Sequence, residues 1–212
     1  MRRLNLLLKR IIDIFGSFIG LIIASPILVF IAIAIKLTTK GPVFFRQERL
    51  GKDGKVFKIL KFRTMVVNAE KIGDGLAVKS ENDSRITRVG KFLRATSLDE
   101  LPQLLNVLVG QMSLVGPRPP VVYFPYDGYE NHPDWAKKRF SMRPGITGLA
   151  QVVVRNSVSW NERIILDNKY IDTFSVWLDI KILFATIFKV VKAKNVYIET
   201  DKKVNKKITD FV

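Results

Sequence analysis

One short segment of the chain combines the side chains that phosphate chemistry requires. It reads Arg94-Ala95-Thr96-Ser97-Leu98-Asp99-Glu100-Leu101-Pro102-Gln103. If Asp99 lies at a helix N-terminus, the helix dipole and the free N–H groups favour its ionised form. An ionised aspartate can act as a nucleophile and form an acyl-phosphate. Because neighbouring residues on a helix point about 100° apart, we expect Asp99 and Glu100 to have different roles, such as nucleophile and metal ligand.

The same segment also has a purely structural interpretation. Ser97 and Glu100 match the S-x-x-E capping box, in which the two side chains close a helix N-terminus. With Ser97 as the N-cap, Pro102 lies beyond the first turn, where its missing N–H removes a helical hydrogen bond. A helix that begins nearer Asp99 accommodates Pro102 better. The pattern alone leaves both interpretations open.

Three arginines could supply the positive charge that attack on a phosphate needs. Arg94, Arg118 and Arg143 each adjoin turn-forming residues, where a guanidinium is well presented for bidentate phosphate binding. A metal ion would assist them. The chain has no cysteine and one histidine, His132, which excludes thiolate and histidine-rich metal sites. Carboxylates would therefore bind any metal, which favours Mg²⁺.

An apolar N-terminal segment is the first element that must position these groups. Residues 11–35 are apolar apart from Asp13, Ser17 and Ser25, and as a helix they would be roughly 37 Å long. Both flanks are basic, which favours both ends on one side of a membrane. Ser25-Pro26 lies near the middle, where a proline kinks a helix. These features favour a re-entrant helix over a straight span, and the length of the apolar run argues against a cleavable signal peptide.

Three charged residues lie at the start of this segment. In a membrane-inserted helix, Lys9, Arg10 and Asp13 would be near the lipid headgroups. They could bind lipid phosphate there. Alternatively, they could simply anchor the helix.

The rest of the chain reads as one small mixed unit. Residues 42–47 and 55–62 predict a basic β-hairpin around Gly51-Lys52-Asp53-Gly54, and residues 68–84 a polar loop. Helices are predicted at 85–94, 100–109, 133–141, 158–171 and 175–193. The last helix has an aromatic and aliphatic face beside lysines, including Lys192 and Lys194. This pattern fits a helix in the membrane interface or an ordinary core helix.

Composition limits the class of protein. The 212 residues suffice for one domain with a core. With 35 Lys and Arg against 19 Asp and Glu, the net charge is +16, which calls for an anionic partner. Nucleic acid, acidic lipid and phosphorylated substrates all qualify.

Several motifs in order resemble those of the bacterial sugar transferases that are monotopic polyprenyl-phosphate phosphoglycosyl transferases. The resemblance covers essentially the whole chain and corresponds to the small members that consist of the catalytic domain. The motifs are Lys9-Arg10-Ile11-Ile12-Asp13, Ser25-Pro26, Lys61-Phe62-Arg63-Thr64-Met65, Ser97-Leu98-Asp99-Glu100-Leu101-Pro102-Gln103, Met112-Ser113-Leu114-Val115-Gly116-Pro117-Arg118-Pro119 and Arg143-Pro144-Gly145-Ile146-Thr147-Gly148-Leu149-Ala150-Gln151.

This resemblance implies a mainly helical α/β fold. Residues 1–40 would form a re-entrant membrane helix broken at Ser25-Pro26. Residues 41–212 would form one catalytic unit with a small β-hairpin and amphipathic interfacial helices. The active site would lie at the cytoplasmic face of the bacterial inner membrane.

The resemblance also implies a reaction. Asp99 would attack the β-phosphate of a UDP-sugar, releasing UMP and leaving a covalent phospho-sugar, while Glu100, with Asp99, would bind Mg²⁺. Polyprenyl phosphate would then accept the phospho-sugar. Carried over residue by residue, the phosphate- and nucleotide-binding set is Arg94, Arg118, Arg143, Lys61, Arg63, Gln151 and Asp167, and the lipid-carrier or membrane set is Lys9, Arg10, Asp13, Ser25 and Pro26. One departure is Leu149, where many relatives have tryptophan.

Two other functions remain as alternatives. A metal-dependent glycosyltransferase would move the sugar without its phosphate, but such enzymes generally use an Asp-x-Asp motif, which this sequence lacks. A membrane-bound nucleic-acid-binding or scaffold protein would explain the charge, although no nucleic-acid motif is present and the Arg94–Gln103 segment would have no role. The sequence does not identify the sugar or the oligomeric state.

Overall fold

The computed structural model describes residues 2–72, 75, 83–154 and 158–191. It is mainly helical, with a long apolar N-terminal helix, a β-hairpin and a small two-stranded parallel sheet. Lys192 and Lys194 of the predicted last helix lie outside the described residues, as do residues 73–74 and 76–82 of the predicted polar loop. The elements in chain order are α1 (Arg2–Thr38), β1 (Phe44–Leu50), β2 (Val56–Phe62), α2 (Arg88–Thr96), α3 (Gln103–Leu108), β3 (Ser113–Val115), α4 (Asp134–Lys137), β4 (Gly145–Thr147), α5 (Leu149–Val153), α6 (Trp160–Asp172) and α7 (Val176–Val191).

Helix α1 lies against the rest of the protein along most of its length. A narrow stripe of its residues is buried or half-buried at helical spacing, from Lys9 through Asp13 and Ser17 to Ile31 and Ile35. The remaining circumference is apolar and exposed, with side chains such as Phe15, Ile23 and Phe30 facing outward. Among the described residues, α1 is the one helix long and apolar enough to cross a membrane. Such a large exposed apolar surface marks membrane association.

Buried polar contacts hold the first half of α1. The Lys9 ammonium donates to the Val115 carbonyl at 2.7 Å and pairs with Asp179 of α7 at 2.6 Å. The Asp13 carboxylate accepts hydrogen bonds from the Ser113 hydroxyl and the Leu114 N–H, both at 2.9 Å. Both side chains are therefore bonded within the protein, as the anchoring alternative expects. They face inward because a charge at a helix–protein contact must have a partner.

The second half of α1 packs through apolar side chains. Ile31 and Ile35 form a buried cluster with Phe62 of β2 and Leu93 of α2. Just beyond the helix, the Arg63 guanidinium donates to the carbonyls of Thr39 and Lys40 at 3.1 and 2.6 Å, and to the Thr39 hydroxyl. Arg63 thus fixes the end of α1 to the hairpin, and these hydrogen bonds occupy both of its terminal nitrogens.

The chain stays helical through Ser25-Pro26, so the structure has one helix where a helix-break-helix was predicted. Pro26 has no N–H to donate to the carbonyl of Ile22, four residues earlier. The Ser25 hydroxyl donates to that same carbonyl at 2.8 Å. Serine thereby satisfies the acceptor that proline leaves free, which matters most where no water is available.

The predicted hairpin is confirmed, although β1 is displaced towards the turn relative to the predicted 42–47 and β2 begins one residue later than the predicted 55–62. Strands β1 and β2 are antiparallel, with Phe44 opposite Phe62 and Leu50 opposite Val56. The turn needs Asp53 and Gly54 at positive φ, which suits this Asp-Gly pair. The pairing places Lys61 on the strand beside the segment that carries the two carboxylates.

The predicted helices are present with shifted or shorter bounds. The helix expected at 100–109 begins only at Gln103, after a 3₁₀ turn over Leu98–Glu100. The small sheet was not predicted: β3 and β4 run parallel, with Ser113 opposite Gly145 and Val115 opposite Thr147. Strand β3 of this sheet contacts α1 through the hydrogen bonds of Ser113 and Leu114 to Asp13.

Helix α7 has features of both alternatives predicted for the last helix, a core helix and a membrane-interface helix. Leu178 and Ile182 belong to the main core cluster with Val115, Leu149 and Tyr170. Its opposite face is apolar and exposed, with Trp177, Phe184, Ile187 and Phe188 each about 60% exposed. One face is therefore a core face, and the other has the amphiphilic character of a membrane-interface surface.

The Ser25–Pro26 contact yields a double-mutant prediction. We expect Ser25→Ala to lower the free energy of unfolding by roughly 1–2 kcal/mol, because the Ile22 carbonyl loses its donor. In a Pro26→Ala background the same change should have almost no effect, since the alanine backbone itself supplies the helical N–H. Thermal unfolding of all four proteins in nanodiscs gives the coupling energy. Equal costs of Ser25→Ala in both backgrounds would contradict this role.

Candidate active site

A cavity of about 1300 Å³ lies between the hairpin, the α2–α3 connection and the β4–α5 region. Its charged lining comes from β1, β2, α2 and α6 and from the connections that follow β2, α2 and β3. The charged and amide side chains that line it are Arg46, Gln47, Arg49, Lys61, Arg63, Asn68, Glu70, Lys71, Arg94, Asp99, Glu100, Arg118, Gln151 and Arg163. Cations outnumber carboxylates in this set, so the cavity attracts anions.

The backbone at Ser97 directs the two carboxylates into this cavity. Helix α2 ends at Thr96, and Ser97 takes a left-handed conformation, φ 56° and ψ 16°, before the 3₁₀ turn of Leu98–Glu100. A non-glycine residue in that region is strained, and such strain often accompanies functional sites. The capping-box interpretation is wrong, because the Ser97 side chain makes no capping bond and Glu100 bonds elsewhere. Pro102 immediately precedes α3, where its missing N–H costs nothing.

The adjacent carboxylates have opposite electrostatic environments. Glu100 accepts a hydrogen bond from the Lys61 ammonium at 2.5 Å. Burial alone would raise the pKa of Glu100, but the charges of Lys61 and Arg118 outweigh it and lower that pKa. Asp99 forms no ion pair with any residue that the structure describes. Burial and the neighbouring Glu100 raise the pKa of Asp99 to about 6, against the opposing charges of Lys61 and Arg94.

Two of the predicted arginines are available for a ligand. Arg94 and Arg118 both line the cavity, and neither guanidinium bonds to another described residue. Sequence reasoning missed three more arginines of the lining, Arg46, Arg49 and Arg163. Arg49 of the hairpin donates to Gln47 and to the Pro119 carbonyl, and Arg163 of α6 lies 5.3 Å over the Trp160 ring. In the sequence, Arg46 and Arg49 are only two of many basic residues of the hairpin. Arg163 lies in a predicted helix that contains no recognisable motif, so none of the three was singled out.

A buried ion pair lies behind Arg118. Arg139 and Asp167 are both 1% exposed, and their side chains pair at 2.7 Å. The same Arg139 nitrogen donates to the Arg118 carbonyl at 2.6 Å. Asp167, expected among the phosphate- or nucleotide-binding residues, therefore does not line the cavity. It fixes Arg139, which in turn fixes the backbone of Arg118, because a carboxylate this deeply buried requires a cationic partner.

Arg143 and Arg10 meet at another place. The Arg143 side chain donates to the Gly110 carbonyl at 2.8 Å, and Arg10 donates to the carbonyls of Val107 and Leu108. Both cations thus stabilise the C-terminal end of α3, where the helix dipole favours positive charge. Neither side chain lines the cavity. The structure separates Arg143 from the Arg94 and Arg118 with which it was grouped.

Gln151 does line the cavity, and its side-chain amide donates to the Ile146 carbonyl at 3.1 Å. Its carbonyl oxygen is buried without a partner in the described part of the chain. Ser25 and Pro26 are exposed on the apolar side of α1, away from the cavity lining. The sequence-predicted residues that the cavity brings together are therefore Lys61, Arg63, Arg94, Asp99, Glu100, Arg118 and Gln151.

The donor set of the cavity fits Mg²⁺ only in part. No group of three or more potential metal-ligand side chains occurs within the described ranges. Mg²⁺ commonly binds through one or two carboxylates and completes its coordination with water and substrate phosphates. Asp99 and Glu100 provide such a pair, and only one Glu100 oxygen is engaged by Lys61. The residues present are thus compatible with Mg²⁺ that arrives with a diphosphate.

The ion pair behind Arg118 leads to a stability prediction. We expect Asp167→Asn to lower the free energy of unfolding by about 3–5 kcal/mol, because Arg139 would remain charged, buried and unpaired. Asp172→Asn on the same helix is the control, since its pair with Lys138 is solvent-exposed and should contribute at most about 1 kcal/mol. Chemical denaturation monitors both variants. Similar losses in the two would contradict the assigned role of Asp167.

The chain is similar to known proteins over most of its length. Residues 4–193 match the family model described as bacterial sugar transferase. The UDP-glucose:undecaprenyl-phosphate glucose-1-phosphate transferase of Klebsiella pneumoniae is 47% identical over 92% of this chain and 42% of its own length. The undecaprenyl-phosphate galactose phosphotransferase of Salmonella typhimurium is 41% identical over 92% of this chain and 43% of its own.

A shorter relative is the exopolysaccharide production protein PSS of Rhizobium leguminosarum bv. phaseoli, which is 43% identical over 87% of this chain and 95% of its own length. The chain spans less than half the length of the first curated relatives that it matches. The family model nevertheless covers most of the chain, and it includes the cavity and α1. This protein belongs to the bacterial sugar transferase family.

Proposed function

We propose that this protein transfers a sugar 1-phosphate from a UDP-sugar to undecaprenyl phosphate and thereby initiates the synthesis of a bacterial polysaccharide. The observation that carries the proposal is the pair Asp99 and Glu100, two adjacent carboxylates with different environments in a cation-lined cavity. The names of the glucose and galactose phosphotransferase relatives support the same reaction. Both substrates carry phosphates, which suits the excess of cations.

In the first half-reaction, a carboxylate oxygen of Asp99 attacks the β-phosphorus of the UDP-sugar. A bond forms between that oxygen and phosphorus, and the bond from phosphorus to the bridging oxygen breaks. UMP leaves with the bridging oxygen, and the sugar phosphate stays on Asp99 as an acyl-phosphate. Arg94 and Arg118 stabilise the developing negative charge, since their guanidiniums have no partner among the described residues.

In the second half-reaction, a phosphate oxygen of undecaprenyl phosphate attacks the phosphorus held by Asp99. The new phosphorus–oxygen bond gives undecaprenyl-diphospho-sugar, and cleavage of the acyl-phosphate bond restores the Asp99 carboxylate. Glu100 can accept a proton if the acceptor binds as its monoanion. The Lys61 ammonium holds Glu100 in place at 2.5 Å.

Glu100 and Asp99 would also hold Mg²⁺ together with the substrate diphosphate. A bound Mg²⁺ ion would neutralise part of the negative charge on the phosphates. The contrast in pKa between the two carboxylates supports separate roles, because an ionised Glu100 suits a cation and an unpaired Asp99 is free to attack.

The contacts of α1 support a re-entrant or membrane-dipping topology at the cytoplasmic face of the inner membrane. A straight span would surround the middle of the helix with about 30 Å of lipid. The contacts from Lys9 to Ile35 extend over roughly 39 Å of helix, and they all belong to the same body. Residues 1–40 would insert into one leaflet, and residues 41–212 would act at its surface as one catalytic unit.

Release of the nucleotide tests this function. Purified protein in nanodiscs with Mg²⁺ and undecaprenyl phosphate is given UDP-glucose, UDP-galactose and other UDP-sugars. We expect UMP with at least one donor and a loss on the order of 10⁴-fold or more in Asp99→Asn, with Asp134→Asn as an exposed control. Release of UDP would instead indicate transfer of the sugar alone. Full activity in Asp99→Asn would remove the proposed nucleophile.

The raised pKa of Asp99 predicts how the first half-reaction depends on pH. Because only the ionised carboxylate attacks, the rate in the absence of acceptor should rise with pH through about 6 and level off above about pH 7. At pH 5 the rate should be about tenfold below the plateau. Rapid-quench measurement of UMP release gives the profile. A rate that stays level down to about pH 4.5 would contradict a nucleophile with this pKa.

A further inference from the structure

The cavity is amphipathic. Its lining combines Asp99, Glu100 and the cations with apolar residues, several of them from the hairpin and the segment that follows it. Three of these apolar side chains are also exposed at the surface: Phe44 is 40%, Val66 41% and Val67 47% exposed. We call these three residues the apolar mouth.

The apolar mouth lies next to the C-terminal end of α1. A β-carbon on Gly41, three residues beyond α1, would lie only 2.6 Å from a Val67 methyl carbon, so the backbone there adjoins Val67. Phe44 stacks on Phe62 with ring centroids 5.4 Å apart. Phe62 in turn packs against Ile31 and Ile35 of α1. The apolar mouth is therefore continuous, through Phe62, with the buried apolar contact between the hairpin and α1.

The structure also holds the apolar mouth in shape. The Val66 N–H donates to the Arg85 carbonyl at 2.9 Å, which fixes the backbone before Val67. Arg46, two residues after Phe44, is a charged neighbour that also lines the cavity. Arg63, three residues before Val66, donates through its terminal nitrogens to the carbonyls of Thr39 and Lys40. Leu37, one residue before the end of α1, is apolar and 82% exposed.

We propose that the apolar mouth binds the first isoprenoid units of the polyprenyl phosphate acceptor as its chain passes from the cavity to the membrane. This inference rests on the proposed function. The occupant must combine an anionic head with an apolar tail, because the cavity presents cations inside and apolar side chains at this edge. A UDP-sugar has no aliphatic tail; its uracil ring can stack on an aromatic side chain, but the two adjacent exposed valines suit a hydrocarbon chain better than a nucleobase. Phe44, Val66 and Val67 thus act on the acceptor in preference to the donor.

The two half-reactions separate these substrates. We expect the double variant Val66→Ser/Val67→Ser to slow discharge of the covalent phospho-sugar by undecaprenyl phosphate about tenfold more than it slows UMP release without acceptor. Val56→Ser is the matched control, since Val56 is a similarly exposed valine of the hairpin that does not line the cavity. Discharge slowed no more than UMP release, or slowed equally in the control, would overturn the inference.

A second measurement decides the inference without any turnover. Photoreactive benzoylphenylalanine is placed at position 67 or at position 56, and the proteins are irradiated in nanodiscs that contain labelled polyprenyl phosphate. We expect strong cross-linking at 67, competed by unlabelled polyprenyl phosphate and unaffected by added phosphatidylglycerol, and little at 56. Equal labelling at the two positions, or competition by any acidic lipid, would overturn it. An absence of UMP release would instead count against the proposed function, while the cross-linking result would still stand.

Discussion

The buried ion pair between Lys9 and Asp179 is the interaction on which the rest of the arrangement depends. Lys9 also donates to the Val115 carbonyl, and Asp179 accepts a hydrogen bond from the Tyr170 hydroxyl at 2.7 Å. One cluster of polar groups thereby joins the apolar helix α1 to β3, α6 and α7. Removing either charge would leave the other buried and unpaired, which is far more costly than losing a surface pair. A helix that would otherwise associate only with lipid is thus fixed to the body that contains the cavity.

The electrostatics of the cavity follow from a similar use of paired charges. Cations that stabilise the structure are bonded to carbonyls or carboxylates: Arg63 to the end of α1, and Arg139 to Asp167. Within the described part of the chain, Arg94 and Arg118 lack such partners and remain free for an anionic ligand. The two carboxylates of the cavity differ in the same respect. Glu100 is paired with Lys61, whereas Asp99 has no ion pair within the described part of the chain. Paired charges thus stabilise the fold around the cavity, and the unpaired charges inside it are available to bind and react with a substrate.

Local features of the fold could be predicted from the sequence. The Asp-Gly turn of the hairpin, the long apolar segment and the positions of most helices follow from short-range patterns. At Ser97–Glu100, the sequence pattern could not decide between a capping box and a pair of functional carboxylates. The capping box competes with an ion pair to Lys61, which is 39 residues away in the chain. Pairing between distant segments therefore decided the local structure.

Contacts between distant segments also explain why the surroundings of some site residues could not be predicted from the sequence. Lys9, Asp13 and Asp167 are charged, and charge in sequence suggests exposure or ligand binding. Their burial depends on partners 28 to 170 residues away. Arg143 adjoins a turn, as Arg118 does, yet it reaches the end of α3 because β4 pairs with β3. Arg163 carries no local signal, since a single arginine in an amphipathic helix is ordinary.

The covalent phospho-sugar on Asp99 is the central claim, and its mass tests that claim most directly. The protein would be incubated with its UDP-sugar and Mg²⁺ without acceptor, quenched in acid and analysed by intact mass and peptide fragmentation. The account predicts one sugar phosphate per chain, located on Asp99 and lost when undecaprenyl phosphate is added before the quench. UMP release that requires both substrates together, with no adduct on any residue, would contradict it and indicate direct transfer between the two substrates.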